Sequence, residues 1–214
     1  MSESLVEARS LRKDAVENRT RILVAARETF DAEGLDVGID EIAIRAGVGV
    51  GTIYRRFGSK DELIAAVLEE IIATVRASVR RAHESVTAAE GFFSYLAEMG
   101  QLQFDHAGCL SRLWTIADDD VRTELHDLGA ELLRRAQEEG AVRTDLVYED
   151  VTLFLWSLRG VIEKTSLVAP TAWKRHFELF AQSLAPGGPQ LTSSPMTFPQ
   201  AEVISKDPRL ARGL

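Results

Sequence analysis

The stretch GVGVGTIYRRFGSK, residues 47–60, decides how the rest of the chain is read. Its fourteen residues hold four glycines, one tyrosine and three cations but no carboxylate, in a chain of 214 residues with a net charge of −8. Three readings are open. A phosphate-cradling nucleotide loop needs G-x-G-x-x-G or G-x-x-x-x-G-K-[ST] after a strand. Here the spacing is G-x-G-x-G, and a helical pattern precedes it. A surface turn between core helices would be satisfied by glycine alone. A helix-turn-helix accounts for the cations as well: IDEIAIRAG supplies the first helix, VGV the turn and GTIYRRFG the second helix.

The third reading assigns each residue a task. Gly47 can adopt the left-handed conformation that ends the first helix. Ile42, Ala43, Val48 and Ile53 form a small apolar seam between the helices, and Ala43 and Ala46 are small where they cross. The N-terminal amides of the second helix offer a site for a phosphate oxygen. Gly49 and Gly51 remove side chains where backbone must approach DNA. Thr52 and Tyr54 bring hydroxyl donors, Arg55 and Arg56 reach guanine edges or phosphates, and Lys60 anchors the next phosphate. From Arg45 to Lys60 there are four cations and no acid, as a phosphate-facing surface requires and a merely structural turn does not.

Charge is distributed accordingly. Residues 1–60 carry ten Lys/Arg and ten Asp/Glu, whereas residues 61–214 carry fifteen against twenty-three. Salt screens distant charge beyond about 8 Å, so a local basic surface can attract phosphate on an acidic protein. With 45 % hydrophobic and 27 % charged residues, the composition is that of an ordinary soluble globular protein. No apolar run approaches the roughly 20 residues needed to cross a bilayer, and the first twenty residues lack a signal-peptide core. A single cysteine, Cys109, makes no internal disulfide, so a cytoplasmic location with no membrane partner is expected. Cys109 reads as a small buried residue or a redox sensor.

Helical periodicity continues to about residue 184. NRTRILVAARETFDAEG places Ile22, Leu23, Ala26 and Phe30 on one face and stops at Gly34. Ser59 with Glu62, and Thr87 with Glu90, have capping-box spacing. No stretch alternates over strand length, so the fold is expected to be all-α. Residues 185–214 are proline-dense, show no helical period and read as a flexible tail. The helix-turn-helix domain is expected over 10–58 and a larger helical domain over 59–184, the two joined through the long helix near residues 60–83.

RILVAARETFDAEGLDVGIDEIAIRAGVGVGTIYRRFGSKDELIAAV resembles the DNA-binding domain of the tetracycline-repressor family of bacterial regulators. The resemblance covers roughly residues 19–68 through three elements, AA...F...G, I..IA..AGV and GT.Y..F.SK..L. It implies an all-helical homodimer with an N-terminal three-helix domain, which binds a palindromic double-stranded DNA operator and releases it when a small molecule enters the C-terminal domain. Val50, Gly51 and Thr52 match the start of the recognition helix. Tyr54 and Lys60 match phosphate-contacting positions, Arg55 and Arg56 match variable positions that often read bases, and Phe57 matches a core aromatic. Gly38 stands where many members have a capping threonine, so it offers an amide but no hydroxyl. Arg19 and Arg21 read either as further phosphate contacts at the entrance of helix one or as solvated surface.

In the larger domain Phe92, Leu96, Phe104, Leu113, Trp114 and Phe154 lie on apolar helix faces. Such a stripe is ordinarily core, but the resemblance implies that some of these residues line a pocket for an apolar or aromatic effector. Arg159, the one cation in LFLWSLRGVIE, either fixes the ligand's polar or acidic end or pairs with Glu163 at i+4. The segment EEGAVRTDLVYEDVTLFLW is similar to one common in a subgroup of these regulators, through Gly140, Arg143, Asp145 and Asp150. The last two helices, residues 148–169 and 171–184, are expected to form a four-helix dimer interface using Trp156, Gly160, Trp173, Phe177 and Phe180.

Other chemistry finds no complete constellation. The four histidines show no H-x-x-x-H pairing, Cys109 has no second cysteine for a zinc site, and no G-x-S-x-G occurs. Asp118, Asp119 and Asp120 suit a helix start better than a cation. No enzymatic activity, metal or cofactor is expected. A ligand-independent DNA-binding regulator, or an activator, remains the alternative.

Overall fold

The computed structural model describes residues 3–107 and 110–207, with side chains described for residues 17–107, 110 and 114–207. Within that range the chain is a succession of α-helices: α1 (Glu3–Glu33), α2 (Ile39–Ala46), α3 (Val50–Phe57), α4 (Lys60–His83), α5 (Ala88–Asp105), α6 (Leu110–Ile116), α7 (Asp119–Glu138), α8 (Tyr148–Thr165), α9 (Ala172–Ser183) and α10 (Phe198–Lys206). None of the described helices is long and apolar enough to cross a membrane. The chain divides into two compact units between Ile71 and Ile72. That point lies inside α4.

In the N-terminal unit the expected apolar face of α1 is the core: Ile22, Leu23, Ala26 and Phe30 are buried with Ile42, Ala43, Ile53, Phe57, Leu63 and Val67. Buried Thr29 donates its hydroxyl to the Ala25 carbonyl at 2.7 Å, which satisfies it within its own helix. Gly34, at φ 80°, ends α1. The helix begins at Glu3, well before the periodic stretch, so Arg19 and Arg21 sit inside it and not at its entrance. The Arg19 guanidinium lies 5.3 Å from the centre of the Phe57 ring, within cation–π range, and Arg21 bonds Asn18.

In the C-terminal unit, caps fix where each helix starts. Thr87 Oγ1 accepts from the Glu90 N–H at 3.1 Å, while the Glu139 carboxylate of the α7 C-terminus accepts from the Ala88 and Ala89 amides at 2.8 and 3.0 Å. Asp118 caps α7 through the Asp120 N–H at 2.8 Å. Between α7 and α8 the chain turns at Gly140, φ 74°. Arg143 makes a forked pair to Asp145 at 2.6 and 2.8 Å, and Asp150 accepts from the Val147 N–H at 3.0 Å to open α8. The four residues singled out in EEGAVRTDLVYED thus build one turn.

The tail departs from the sequence expectation. Arg143 donates to the Pro189 carbonyl at 2.6 Å, and Asp145 accepts from the Leu191 N–H at 2.9 Å. Residues 198–206 then form α10. Pro199 lies in its first turn, where a missing N–H is harmless, and Gln200 reaches back to accept from the Thr197 N–H at 2.9 Å. Counting the prolines only as breakers hid a capping box.

The Arg143 guanidinium, helped by the Leu191 N–H, holds the Asp145 carboxyl well below the ordinary Asp range. A carboxylate depressed in the folded state stabilises above its unfolded pKa and loses that contribution as pH falls through the folded value. The tail tether should therefore persist through pH 4 and fail only in stronger acid. Asp145→Asn should release it at neutral pH, speeding hydrogen exchange of the Leu191 amide about tenfold or more. Unchanged exchange would show that the tether lies elsewhere.

Candidate functional site

The N-terminal unit presents a helix-turn-helix. Gly47, at φ 64° and ψ 37°, closes α2 and donates to the carbonyls of Ala43 and Ile44, and the Val48 N–H adds a 3.0 Å bond to the Ala43 carbonyl. A side chain at that φ would be strained. Ile42, Ala43 and Ile53 are buried in the seam between the helices. On α3, Ile53 and Phe57 are one turn apart and both point inward, which leaves Tyr54, Arg55 and Arg56 outside. Tyr54 is 46 % exposed, and both arginines are exposed.

The start of α3 is open. Gly49 holds the cap position with no side-chain cap, and no acidic residue lies in the first turn. A Cβ placed on Gly49 or Gly51 would meet nothing within 4 Å, and neither glycine has a positive φ. The fold itself therefore does not require glycine at either place. Gly38 likewise caps α2 with backbone alone. Thr52 and Lys60 are half-buried at the two ends of this surface. The carboxylate-free stretch of sequence is not wholly carboxylate-free in space: Glu33 of α1 stands 3.9 Å from Arg45, and the Glu62 side chain lies over Gly58. Ile44, on α2 beside Arg45, is a largely exposed apolar side chain that the sequence reading did not single out.

The C-terminal unit contains a cavity of about 270 Å³. Its walls are mostly apolar and aromatic, including Met99, Leu125, Leu155, Trp114 and Trp156. Polar groups enter at a few points. Tyr95 and Tyr148 share a 2.8 Å hydroxyl hydrogen bond. Burial pushes both phenols up, Tyr148 the further, so neither carries charge at neutral pH. Tyr148 occupies space that Gly129 leaves free, since a Cβ there would overlap its ring. His126 stands against Tyr148 and is held by Glu149 at 3.1 Å. Arg159 lines the cavity wall and lies 3.5 Å from Glu163, the i+4 pairing that the sequence offered. Among the described residues no cluster of His, Cys, Asp or Glu is suited to a metal ion.

The pattern defining the bacterial regulatory proteins of the tetR family matches residues 22–67. The pattern of the transcriptional regulator SbtR-like C-terminal domain matches residues 87–186. The crystal structure of the TetR transcription regulatory protein from Mycobacterium vanbaalenii is 30 % identical at a TM-score of 0.59, over 82 % of this chain and 99 % of that one. The chain belongs to the TetR family. A TetR regulator from Streptomyces coelicolor is 25 % identical with a TM-score of 0.63, over 79 % of this chain and 99 % of that one. The HTH-type transcriptional activator FasR of Mycolicibacterium smegmatis is 37 % identical over 94 residues, 40 % of this chain. An HTH-type regulator of Staphylococcus aureus is 42 % identical over 65 residues, 30 % of this chain. The chain spans 43 % and 35 % of the lengths of these two curated relatives.

Within this TetR-family chain the residues from Gly49 to Lys60 expected at the DNA face lie on α3 and its flanks, Gly38 lies at the start of α2, and those expected in the larger domain are redistributed. Phe92 and Leu96 are fully buried core and do not line the cavity. Phe104 stacks on Trp173 at 5.8 Å. Phe154 lies under Phe180, with rings parallel at 3.7 Å. Of the ligand set only Trp114 and Arg159 line the cavity; the Leu113 side chain and Cys109 lie outside the described residues. Trp156, expected at a dimer interface, is a cavity residue. Trp173 is buried in its own protomer with Leu158 and Ile162. Gly160 stays exposed with open space above it, and Phe177 and Phe180 are half-buried. Tyr95, Tyr148, Gln103 and His126 were missed because they sit singly in ordinary helix patterns, with no spacing to mark them.

If glycine at the start of α3 serves an outside partner, substitution should separate stability from binding. Gly51→Ala should leave the unit as stable or raise its stability by about 0.5–1 kcal/mol, while lowering affinity for DNA at least tenfold. Thermal unfolding and a DNA titration on the same sample check both halves. An alanine variant that binds as well as the parent would remove the close-approach role.

Proposed function

We propose that the chain is a homodimeric, sequence-specific DNA-binding transcriptional regulator, a repressor that leaves a palindromic operator when a small apolar or aromatic molecule occupies the C-terminal cavity. The observation that carries this reading is the outward face of α3: exposed Tyr54, Arg55 and Arg56 beside two glycines that the fold does not need. Arg55 and Arg56 read base edges. Thr52, Tyr54 and Lys60, with the first-turn amides of Val50 and Gly51, position the helix on phosphates, and Gly38 adds a backbone amide. FasR is named an activator. Activation by this chain is the second reading, because the same DNA contact activates or represses according to where the operator lies.

One eight-residue helix reads too few base pairs to find a site in a genome; two, one helical turn of about 34 Å apart, read a palindrome. A surface for a second copy is available on α8 and α9. Leu153 and Leu179 are 43 % and 58 % exposed and flank a shallow groove with Ser157, His176 and Phe180, next to open Gly160. Arg159 suits the acidic or polar end of an effector. Its pairing with Glu163 is an i,i+4 contact of a kind worth only about 0.3–0.5 kcal/mol, so a ligand can take it over. Such a ligand acts only through differential affinity for the state that does not bind DNA.

Fluorescence-anisotropy titration against upstream palindromic DNA tests the reading. Tyr54→Phe and Lys60→Ala should weaken binding to all sequences alike, the latter lowering the salt slope by about one. Arg55→Ala should relax preference at one base pair by about 1–3 kcal/mol. Arginine variants with unchanged affinity and preference would overturn the base-reading assignment. In sedimentation experiments Leu179→Glu should raise the dimer dissociation constant by roughly tenfold or more, since it buries a charge in an apolar contact; an unaltered dimer would move the interface elsewhere.

A further inference from the structure

One wall of the C-terminal cavity comes from outside the SbtR-like domain, whose match ends at residue 186. Helix α10 supplies it through Phe198, Ala201, Glu202, Ile204 and Ser205. We propose that α10 is a ligand-contacting lid: its side chains take part in selecting the effector, and its displacement widens the way in. The proposal rests on reading this cavity as the effector site.

The contacts that close the lid are few and local. Ala201 is buried. The Phe198 ring lies 4.1 Å from the His126 ring, centre to centre, and Lys206 donates to Asp119 at 2.9 Å. The outer side is solvent-facing, with Val203 71 % exposed. The platform beneath is firmer: His126 is fixed by Glu149, itself buried, at 3.1 Å. At its other end the segment is tied by Arg143 and Asp145 to Pro189 and Leu191. Because Thr197 and Gln200 cap α10 internally, the helix can move as a unit about residues 192–196. A segment with one firm tether, a light latch and little buried surface belongs to the low-stability end of a fold.

The site with α10 in place also defines what it accepts. Phe198 and Ile204 extend the apolar wall, and Glu202 adds a carboxylate. Gln103, another lining residue, buries an amide oxygen with no hydrogen-bond partner among the described residues. A buried acceptor without a partner is costly, and a ligand hydroxyl or N–H would satisfy it. The class that fits is a compact aromatic or alicyclic molecule bearing such a donor, with a polar or acidic end for Arg159.

The test uses the full chain and two unlatching variants, Ala201→Glu and the milder Phe198→Ala, with helical content checked by circular dichroism. Trp114 and Trp156 face the cavity, whereas Trp173 is core, so comparison with and without Trp156→Phe isolates the cavity signal. Acrylamide should quench that signal severalfold more in both variants than in the parent. The aromatic sulfonate 8-anilinonaphthalene-1-sulfonate should enter the variants at least tenfold faster and leave faster still. Equal quenching and equal dye entry rates in parent and variants would overturn the lid. Enhanced quenching with no saturable dye binding in any protein would support the lid and count against the effector reading. Dye binding that is lost in Arg159→Ala but indifferent to α10 would do the reverse.

Discussion

The left-handed residue at Gly47 is the constraint on which the N-terminal unit depends. Helices of eight residues are marginal in water, and α2 and α3 are both that short. They exist because the chain can reverse tightly at Gly47 and bury Ile42, Ala43 and Ile53 against α1. Once Ile53 and Phe57 are committed inward, helical geometry sends Tyr54 and Arg55 outward. The chemistry of the exposed face is thus fixed by what the small seam must hide.

A similar economy governs α8, which serves three neighbours by its three faces. Phe154, Leu158 and Ile162 form core with Trp173. Thr152, Leu155, Trp156 and Arg159 turn to the cavity. Leu153, Ser157 and Gly160 are left exposed, and form the face proposed for the second copy. A side chain on α8 cannot be assigned from its type alone, because aromatic residues occur on two of these faces.

That is why the two units differ in how well they could be read from sequence. The helix order from α2 to α9 follows from periodicity and caps such as Thr87 and Asp118, which act locally. The face proposed for DNA is readable for the same reason: Gly47, Ile53, Tyr54 and Arg55 lie within one short stretch. The cavity is assembled from α4, α5, α6, α7, α8 and α10, and no local pattern separates Trp156, which lines it, from Trp173, which is buried in core. Phe92 and Leu96 were drawn into the ligand set by apolarity alone. Helix α10 was hidden by prolines, although Thr197 and Gln200 stood at capping distance. The early start of α1 had no apolar period to announce it.

The most direct measurement is hydroxyl-radical footprinting of the purified protein on DNA from upstream of its own gene, at moderate salt. If the α3 face is the reading surface of a dimer, two protected half-sites should appear on one side of the duplex, their centres one helical turn of about 10 base pairs or a small multiple apart, and Arg55→Ala should weaken both equally. Protection that spreads without sequence preference, or a single half-site untouched by the arginine change, would contradict it.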